Sequence, residues 1–310
     1  MNTIVLDRVL PDSEASAVGG TLLGHRDYDL LVEEDCDILR PDGSVLAKFR
    51  KGVLPPNECA AAYHALLPAA ATSYNRGIAA GGDGVQKGAH VDRFDVGEAS
   101  QTRFRPLKKD GTVSNTTYAK PVKSGIVGYF DRSARNPYCR QTAYCLNHPD
   151  RFAAAMPLVR RVSGLFRELM PERWEAQMEM IRKTHPDFVV SDTAFTTITV
   201  NRDWQTAVHT DRGDLSAGFG VLTALRSGRF AGGYFVFTGF TPRPAINMET
   251  GDLLCGDVHE WHGNTPIRGI QGRYTRLSLV FYYREKMIEC GSAAEELDRA
   301  KHLDRKGVSY

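Results

Sequence analysis

The chain has 310 residues, a net charge of only +2 and an apolar fraction of 42%. This length and composition allow one large domain with an ordinary hydrophobic core. The near-neutral charge argues against a protein held on nucleic acid mainly by charge, but it does not exclude a local basic groove. No apolar run is long enough to cross a membrane, and the N-terminus lacks the pattern of a signal peptide, so we expect a soluble, intracellular protein.

The six cysteines give no indication of a metal site or of a disulfide framework. They form no C-x-x-C pair and no zinc pattern. They are also too few, in too long a chain, for a small fold stapled by disulfides. We therefore expect free thiols in a reducing compartment, and no obligate protein partner is evident.

The first third of the chain predicts short strands, one helix and a long polar segment. Residues 1 to about 50 read as strands and turns, and Pro55-Pro56-Asn57 begins a helix over 55–71 with Asn57 as a plausible cap. Residues 76–118 are rich in glycine and polar side chains. This segment fits either a surface hairpin or a loop that covers the substrate.

The remainder predicts helices that support a β domain. Residues 149–183 have apolar positions spaced by three and four, which indicates helix, and 292–306 reads as a charged amphipathic helix. Between them, short β-branched runs and turn signals recur about every ten residues, which is typical of a barrel or jelly roll. We predict an α+β, mainly β fold with a jelly-roll core buttressed by helices. The predicted division is an extension at 1–70, a core at 71–290 and a charged helix at 291–310.

Two segments of the predicted β domain carry metal-ligand residue types. VNRDWQTAVHTDRGD contains His209 and Asp211, and HEWHGNTP contains His262 about fifty residues later. Residues i and i+2 of a strand project from the same face, so His209 and Asp211 would point together on one strand. Two imidazoles and one carboxylate form the facial triad of non-haem Fe(II) oxygenases. His259 is an alternative to His262, which we favour because it directly precedes the Gly-Asn turn.

The strand TRLSLVFYY, residues 275–283, adds a possible anion site. Arg276 and Ser278 share one face by the same period of two. An Arg fork and a hydroxyl suit a distal carboxylate, because guanidinium binds carboxylates through two parallel hydrogen bonds.

These motifs together resemble the Fe(II)/2-oxoglutarate dioxygenase superfamily. The phrases VNRDWQTAVHTDRGDLSAGFGVLTAL, GDLLCGDVHEWHGNTP, RLSLVFYYR, SGIVGYFDR and NPYCRQTAY look most like its TET/JBP branch, which oxidises the 5-methyl group of pyrimidine bases. The resemblance implies a double-stranded β-helix, or cupin-like, core. It also implies that Fe(II) is bound by His209, Asp211 and His262, and that 2-oxoglutarate is held by Arg276, Ser278 and Asn201. O2 would be the oxidant, and ascorbate is an alternative cosubstrate.

Candidate substrate residues cluster upstream of the metal motif. A flipped base needs an aromatic platform and polar groups around its Watson–Crick edge. The densest such group is Tyr129, Phe130, Asp131, Arg132 and Arg140. The competing interpretation is that Tyr129 and Phe130 are core and that Arg132 pairs with an acid, because aromatic residues in strands usually pack.

Arg76 is a further candidate, for a phosphate or for a second contact to 2-oxoglutarate. A basic groove would favour DNA as the substrate, and its predicted lining is Arg103, Arg105, Lys108 and Lys109.

Three functions remain open at this point. The first is hydroxylation of the methyl group of 5-methylcytosine or thymine in DNA. The second is the same chemistry on a free nucleotide, nucleoside or other small metabolite, which the lack of a recognisable DNA-binding appendage keeps open. The third is a non-catalytic relative that uses the β fold to bind a ligand, which a missing metal ligand would indicate; none is missing.

Overall fold

The computed structural model describes residues 2–9, 18–74, 76–81, 90–96, 99–105, 121–133 and 136–302, with only the backbone in 90–105. The basic groove and most of the polar segment predicted at 76–118 lie outside the residues whose side chains are described. Within the described chain, no helix is both long enough and apolar enough to pass through a membrane.

Five α-helices and eighteen strands make up the described structure. The helices are α1 (Pro56–Leu66), α2 (Ala143–Asn147), α3 (Pro149–Leu169), α4 (Pro171–Lys183) and α5 (Ala293–Lys301). The strands of the first half are β1 (Asn2–Val5), β2 (Asp7–Arg8), β3 (Leu30–Val32), β4 (Cys36–Leu39), β5 (Val45–Arg50), β6 (Thr72–Ser73), β7 (His90–Val96), β8 (Ala99–Arg105), β9 (Val122–Phe130) and β10 (Arg140–Gln141). The strands of the second half are β11 (Thr197–Arg202), β12 (Gly220–Gly232), β13 (Phe235–Phe237), β14 (Phe240–Thr241), β15 (Pro244–Ile246), β16 (Leu253–Gly256), β17 (His262–Asn264) and β18 (Ile267–Tyr282).

Two sheets face each other and confirm the predicted jelly-roll class. The large sheet has ten strands in the order β1-β4-β5-β16-β12-β18-β11-β9-β10, with β6 paired to β9. The small sheet has the order β17-β13-β15-β3. Its strands are only three residues long, whereas β18 runs for 16 residues through the middle of the large sheet. The large sheet with its long strands therefore forms the main layer, and the small sheet packs against it.

The period of two along β18 separates two hydrophobic layers. Leu277, Leu279 and Phe281 face the helices on the outer side of the large sheet, whereas Val280 and Tyr282 face the small sheet. Both sets are buried, as expected for a central strand covered on its two faces. One face of β18 therefore packs under the helices, and the other, with Val280 and Tyr282, lines a cavity.

Helix α3 covers the outer face of the large sheet. Its buried apolar residues recur at spacings of three and four, which places them on one side: Ala155, Leu158, Val159, Val162 and Phe166. Phe166 stacks on Phe195, with ring centroids 6.3 Å apart. The sequence prediction of a buttressing helix is confirmed, although 149–183 forms two helices, which end and restart around Met170 and Pro171.

Several local predictions are wrong in detail. The β-branched run 193–201 predicts one strand, but residues 193–196 precede β11. His209 and Asp211 do not lie on a regular strand, since His209 forms only an isolated bridge with His262. Ser227 and Gly228 are residue types typical of turns, but β12 continues through them with a register shift against β18. Helix α1 begins after Pro55, so Asn57 lies inside the helix and provides no cap.

Strands from the N-terminal 70 residues belong to the main sheet. Strand β5 pairs with β16 from Leu253↔Arg50 to Gly256↔Ala47, and β4 pairs with β5. The N-terminal segment is thus hydrogen-bonded into the large sheet.

The expectation of free thiols is wrong for one pair. Cys139 and Cys290 form a disulfide across a sequence separation of 151 residues, while Cys36, Cys59, Cys145 and Cys255 are free and buried. No spacing rule could indicate a pair so distant in sequence, because only the fold brings the two segments together.

Candidate metal centre

A cavity of about 210 Å³ lies between the two sheets. Its walls come from β11, β12 and β18 of the large sheet and from β13 and β17 of the small sheet, and the segment 204–214 runs through it. This segment is fixed at both ends. Asp203 donates its backbone N–H to Arg276 O (3.0 Å), and Leu215 donates its own to Tyr283 O (3.0 Å). The cavity therefore has an Arg276 end and a Tyr283 end, with His209 and Asp211 between them.

His209, Asp211 and His262 form a compact group of ligand atoms in this cavity. One ligand atom from each residue lies within 4.8 Å of the others. Asp211 Oδ1 is 3.5 Å from His209 Nε2, and Asp211 Oδ2 is 3.8 Å from His262 Nε2. Reciprocal backbone hydrogen bonds of 2.8 and 2.9 Å join His209 and His262, so the two distant motifs are held in register.

Both imidazoles are oriented by the backbone. His209 Nδ1 lies 2.7 Å from Ala207 O, and His262 Nδ1 lies 2.9 Å from Glu260 O. A carbonyl can only accept, so each ring carries a proton on Nδ1 and turns Nε2 toward Asp211, where a metal can bind the Nε2 of a neutral imidazole. The Phe235 ring stacks on His262 at 4.9 Å and fixes its plane.

The charges of the group also suit a divalent cation. Burial alone would raise the pKa of Asp211, but the hydrogen bond from His209 and the nearby imidazoles lower this pKa to about 2. Burial, reinforced by the charge of His209, lowers the pKa of His262 to about 4, so His262 is neutral at neutral pH. Burial would lower the pKa of His209, but the hydrogen bond to Asp211 and the charge of Asp211 raise it. A divalent cation would take the place of the proton that His209 shares with Asp211, because metal binding requires a carboxylate and neutral imidazoles.

His259 does not join this group. Its Nδ1 lies 3.1 Å from Asp257 Oδ1, and its Nε2 lies 3.4 Å from Asp214 O. Both ring nitrogens are thus turned toward other partners, whereas His262 Nε2 faces Asp211.

The Arg276 end of the cavity is rich in hydrogen-bond donors. Asn201 and Ser278 face each other across β11 and β18 and both line the cavity. Arg276 is buried behind this wall beside Gly233, and it is not itself a lining residue. Within the described chain its guanidinium has no hydrogen bond and no ion pair, and burial lowers its pKa to about 10, which leaves it charged at neutral pH.

The Tyr283 end carries charged groups of both signs. Arg76, Asp214, Tyr282 and Arg284 line the cavity there. Burial, together with the charge of Asp211, raises the pKa of the Asp214 carboxyl well above its ordinary value. Arg284 donates from Nε to Asp131 Oδ1 at 2.8 Å, and Arg76 donates to Gly125 O at 3.0 Å.

The predicted substrate cluster does not line the cavity. Tyr129 packs edge-on against Phe188 at 5.8 Å, and Phe130 lies under the Arg140 guanidinium at 4.6 Å. Arg132 forms an ion pair with Glu296. The competing interpretation, packing aromatics and a paired Arg132, is what the structure shows.

Asp131 is the one member of that cluster that reaches the site indirectly, because it binds Arg284. Sequence reasoning missed Arg284, Asp214 and Trp204 as cavity residues. A signal for Arg284 was present: it continues the face shared by Ser278, Val280 and Tyr282 at a period of two.

Comparison with known proteins agrees with this geometry. Residues 125–285, more than half of the chain, match the Tet_JBP family, described as the oxygenase domain of the 2OGFeDO superfamily. The chain belongs to the Tet_JBP family. The matched span contains the three candidate metal ligands and Arg276.

Named relatives and a solved structure extend the comparison. A thymine dioxygenase JBP1 of Leishmania braziliensis is 37% identical over 177 residues, which cover 56% of this chain and 21% of that protein. A bifunctional helicase and thymine dioxygenase JBP2 of Leishmania infantum is 35% identical over 188 residues, 60% of this chain and 16% of that protein. The chain thus spans about a fifth of the length of these relatives.

The structure of NgTET1 in complex with 5mC DNA superposes with a TM-score of 0.55 at 13% identity, covering 93% of this chain and 94% of that one. This likeness supports the TET-like fold.

Proposed function

We propose that this member of the Tet_JBP family is an Fe(II)- and 2-oxoglutarate-dependent dioxygenase that hydroxylates the 5-methyl group of 5-methylcytosine or thymine in DNA. The observation that carries the proposal is the group His209, Asp211 and His262, with both imidazole Nε2 atoms and the carboxylate turned into one cavity. Relatives of this chain are named thymine dioxygenases, which supports a pyrimidine methyl group as the target.

The donor set fits Fe(II). Two neutral imidazoles and one carboxylate are the ligands of non-haem iron oxygenases and leave coordination positions open. When bound there with 2-oxoglutarate and O2, the iron would supply the oxidising power for an inert C–H bond. The contribution of the protein is to bind, orient and exclude water.

The donor-rich end would hold the cosubstrate. Ser278 and Asn201 line the cavity there, and the charged Arg276 guanidinium lies behind them with no ion pair to a carboxylate of the described chain. The distal carboxylate of a dicarboxylic 2-oxo acid would interact with this guanidinium. The oxo acid end of the ligand would reach toward His209 and His262.

The opposite end would hold the base. Arg284 follows Ser278 by six residues, which corresponds to about 20 Å along an extended strand. This places its side chain on the other side of the metal ligands. Asp214, with its raised pKa, favours a protonated carboxyl that can donate as well as accept, and a pyrimidine edge presents both kinds of group. Leu222, Phe235 and Val280 form apolar wall between the ends and limit the entry of water.

The test is reconstitution with Fe(II) and 2-oxoglutarate without oxygen, followed by air and a duplex containing 5-methylcytosine and thymine. We expect succinate together with a nucleoside that has gained one oxygen, both detected by mass spectrometry, and neither product with Asp211→Ala. Parallel reactions contain free 5-methyl-dCMP, free dTMP, or ascorbate in place of 2-oxoglutarate. Oxidation of a free nucleotide alone would replace DNA by a small-molecule substrate, and no product in any reaction would overturn the proposal.

A further inference from the structure

The indole of Trp204 has a hydrogen-bond donor that the protein does not use. Its Nε1–H is buried and has no acceptor. Three other side chains in the described part of the chain share this property, Arg140, Trp174 and Arg243, but only Trp204 lines the cavity. A buried donor without a partner is destabilising by about 1–3 kcal/mol, so such a group calls for an explanation.

The described polar groups beside Trp204 form hydrogen bonds with one another and not with its indole. Gln205 Nε2 donates to Leu23 O (2.7 Å) and to Asn264 O (2.8 Å), and the Thr206 hydroxyl donates to the Asn264 side-chain oxygen. Across the cavity, the Ser124 hydroxyl donates to Asn201 Oδ1 at 2.5 Å. Within the described chain none of these oxygens accepts from the indole, and an occupant of the cavity can supply the acceptor.

Trp204 belongs to the segment that is hydrogen-bonded to the Arg276 backbone. It directly follows Asp203, whose backbone N–H binds Arg276 O and whose carboxylate accepts the Arg276 backbone N–H at 2.6 Å. The Arg276 guanidinium has no partner within the described chain, and Ser278 lines the same end. Trp204 and Ser278 line one cavity and the Arg276 guanidinium lies behind its wall, and such a set of hydrogen-bond donors suits a carboxylate.

We propose that Trp204 Nε1–H donates a hydrogen bond to the distal carboxylate of the cosubstrate and thereby selects a dicarboxylic over a monocarboxylic 2-oxo acid. The inference rests on the proposed function, since it assigns a specificity residue to the cosubstrate of that reaction. Trp204 is a positioning residue for this carboxylate and takes no part in electron or proton transfer.

The first test compares two ligands on three proteins by calorimetry with Mn(II), which binds oxygen ligands and avoids turnover. The ligands are 2-oxoglutarate and 2-oxopentanoate, which lacks the distal carboxylate. For Trp204→Phe we expect Kd for 2-oxoglutarate to rise about tenfold, the value of one charge-assisted hydrogen bond, and Kd for 2-oxopentanoate to change less than about twofold. Trp174→Phe is the matched control: its Nε1 is equally buried and unpaired, but it lies on α4 outside the cavity, and we expect no change.

Equal losses for both ligands, or no loss for either, would overturn the proposal, since only a contact to the distal carboxylate separates them. If the wild-type protein with Mn(II) binds neither 2-oxo acid, the proposed function itself fails and the inference falls with it.

A second test reads the indole directly. The chain has three tryptophans, so ¹⁵N-tryptophan labelling gives three indole signals, and Trp204→Phe assigns one of them. With diamagnetic Zn(II), addition of 2-oxoglutarate should shift the Trp204 indole proton downfield and slow its exchange, whereas 2-oxopentanoate should do neither. A Trp204 signal that responds equally to both ligands would contradict the assignment.

Discussion

Two buried charges in this molecule have opposite surroundings. Glu296 on α5 is 1% exposed, and its carboxylate accepts from Arg132 and from the backbone N–H groups of Cys139 (2.7 Å) and Gly291 (3.0 Å). Arg276 is 5% exposed, and within the described chain its guanidinium has no hydrogen bond and no ion pair, although the charge of Asp203 acts on it. The fold supplies hydrogen-bond donors to the Glu296 carboxylate, but its described residues supply no acceptor to the Arg276 guanidinium.

This difference suggests two roles: Glu296 is a structural charge, which stabilises the fold, and Arg276 is a binding charge, which is available to a ligand. Burying an ion is unfavourable unless partners replace its water, so a satisfied ion stabilises the fold around it and an unsatisfied one lowers stability until a ligand arrives. Glu296 joins α5 to the segment between β9 and β10, next to the disulfide of Cys139 and Cys290. Arg276 instead lies behind a cavity with the donors of Ser278 and Asn201.

The largest effect is expected at the metal ligands. Asp211→Ala removes the only carboxylate of the group and should reduce succinate formation on the order of a thousandfold or more, because metal binding and substrate geometry both fail. The rise in melting temperature caused by Mn(II) should vanish as well, since a ligand stabilises only the state that it binds. Asp298→Ala, on the exposed side of α5, is the control; a variant of Asp211 that keeps the Mn(II) shift would exclude this residue as a ligand.

Arg276→Met tests the binding charge. We expect Kd for 2-oxoglutarate to rise roughly a hundredfold, because a desolvated charge pair is lost. The free energy of unfolding should stay unchanged or increase, since an uncompensated buried charge is replaced by an apolar chain of similar length. Calorimetry with Mn(II) and urea unfolding measure the two quantities. A fall in stability without a change in Kd would assign Arg276 to the fold.

Glu296→Gln tests the structural charge and should show the reverse. The amide cannot accept the same set of donors, so the free energy of unfolding should fall by about 3 kcal/mol, while Kd for 2-oxoglutarate stays the same. Glu295→Gln is the matched control on the same helix, because Glu295 is exposed and serves only the capping box with Ser292. Equal melting temperatures for the two variants would show that the Glu296 contacts contribute little.

The pH dependence of unfolding also tests the role of Glu296, with a smaller expected effect. Burial would raise the pKa of Glu296, but the hydrogen bond from Arg132 and those from the backbone lower it from an ordinary 4.5 to about 2. A carboxyl with a lowered folded pKa contributes stability above its unfolded pKa and loses it as pH falls toward the folded one. The stability difference between wild type and Glu296→Gln should therefore be constant above about pH 5 and shrink by about 1.4 kcal/mol per pH unit below about pH 4. A difference that does not change down to pH 3 would contradict this origin.

The sequence predicted the parts of the site that depend on local spacing. Residues i and i+2 of an extended segment share a face, so His209 and Asp211 could be paired without knowing the fold, even though the segment is only an isolated bridge. The alternation along β18 likewise placed Ser278 on a wall of the cavity. Turn signals at regular intervals predicted a barrel or a jelly roll, and the family resemblance selected the jelly roll.

Contacts between residues that are far apart in the sequence could not be predicted from local spacing. The pairing of Arg132 with Glu296 spans 164 residues, and the disulfide spans 151. Both depend on how α5 returns to β9 and β10, which no local pattern encodes. The orphan donor of Trp204 is hidden for the same reason, because a missing partner is visible only when every neighbour has been placed.

The smallest effect is expected at His259, which the sequence HEWHGNTP left as an alternative to His262. His259 holds Asp257 through Nδ1 at 3.1 Å, and its Nε2 is 3.4 Å from Asp214 O, so it supports the loop and presents no lone pair to Asp211. His259→Ala should therefore change succinate formation by no more than about threefold, because neither of its contacts is to a metal ligand, and should leave the Mn(II)-induced rise in melting temperature intact. His262→Ala is the paired measurement and should remove both, since its Nε2 is 3.8 Å from Asp211 Oδ2 and its Nδ1 is already fixed by Glu260 O. The reverse result, activity and metal binding lost with His259→Ala and kept with His262→Ala, would mean that the segment turns over when metal binds and that the satisfied histidine, not the free one, is the ligand.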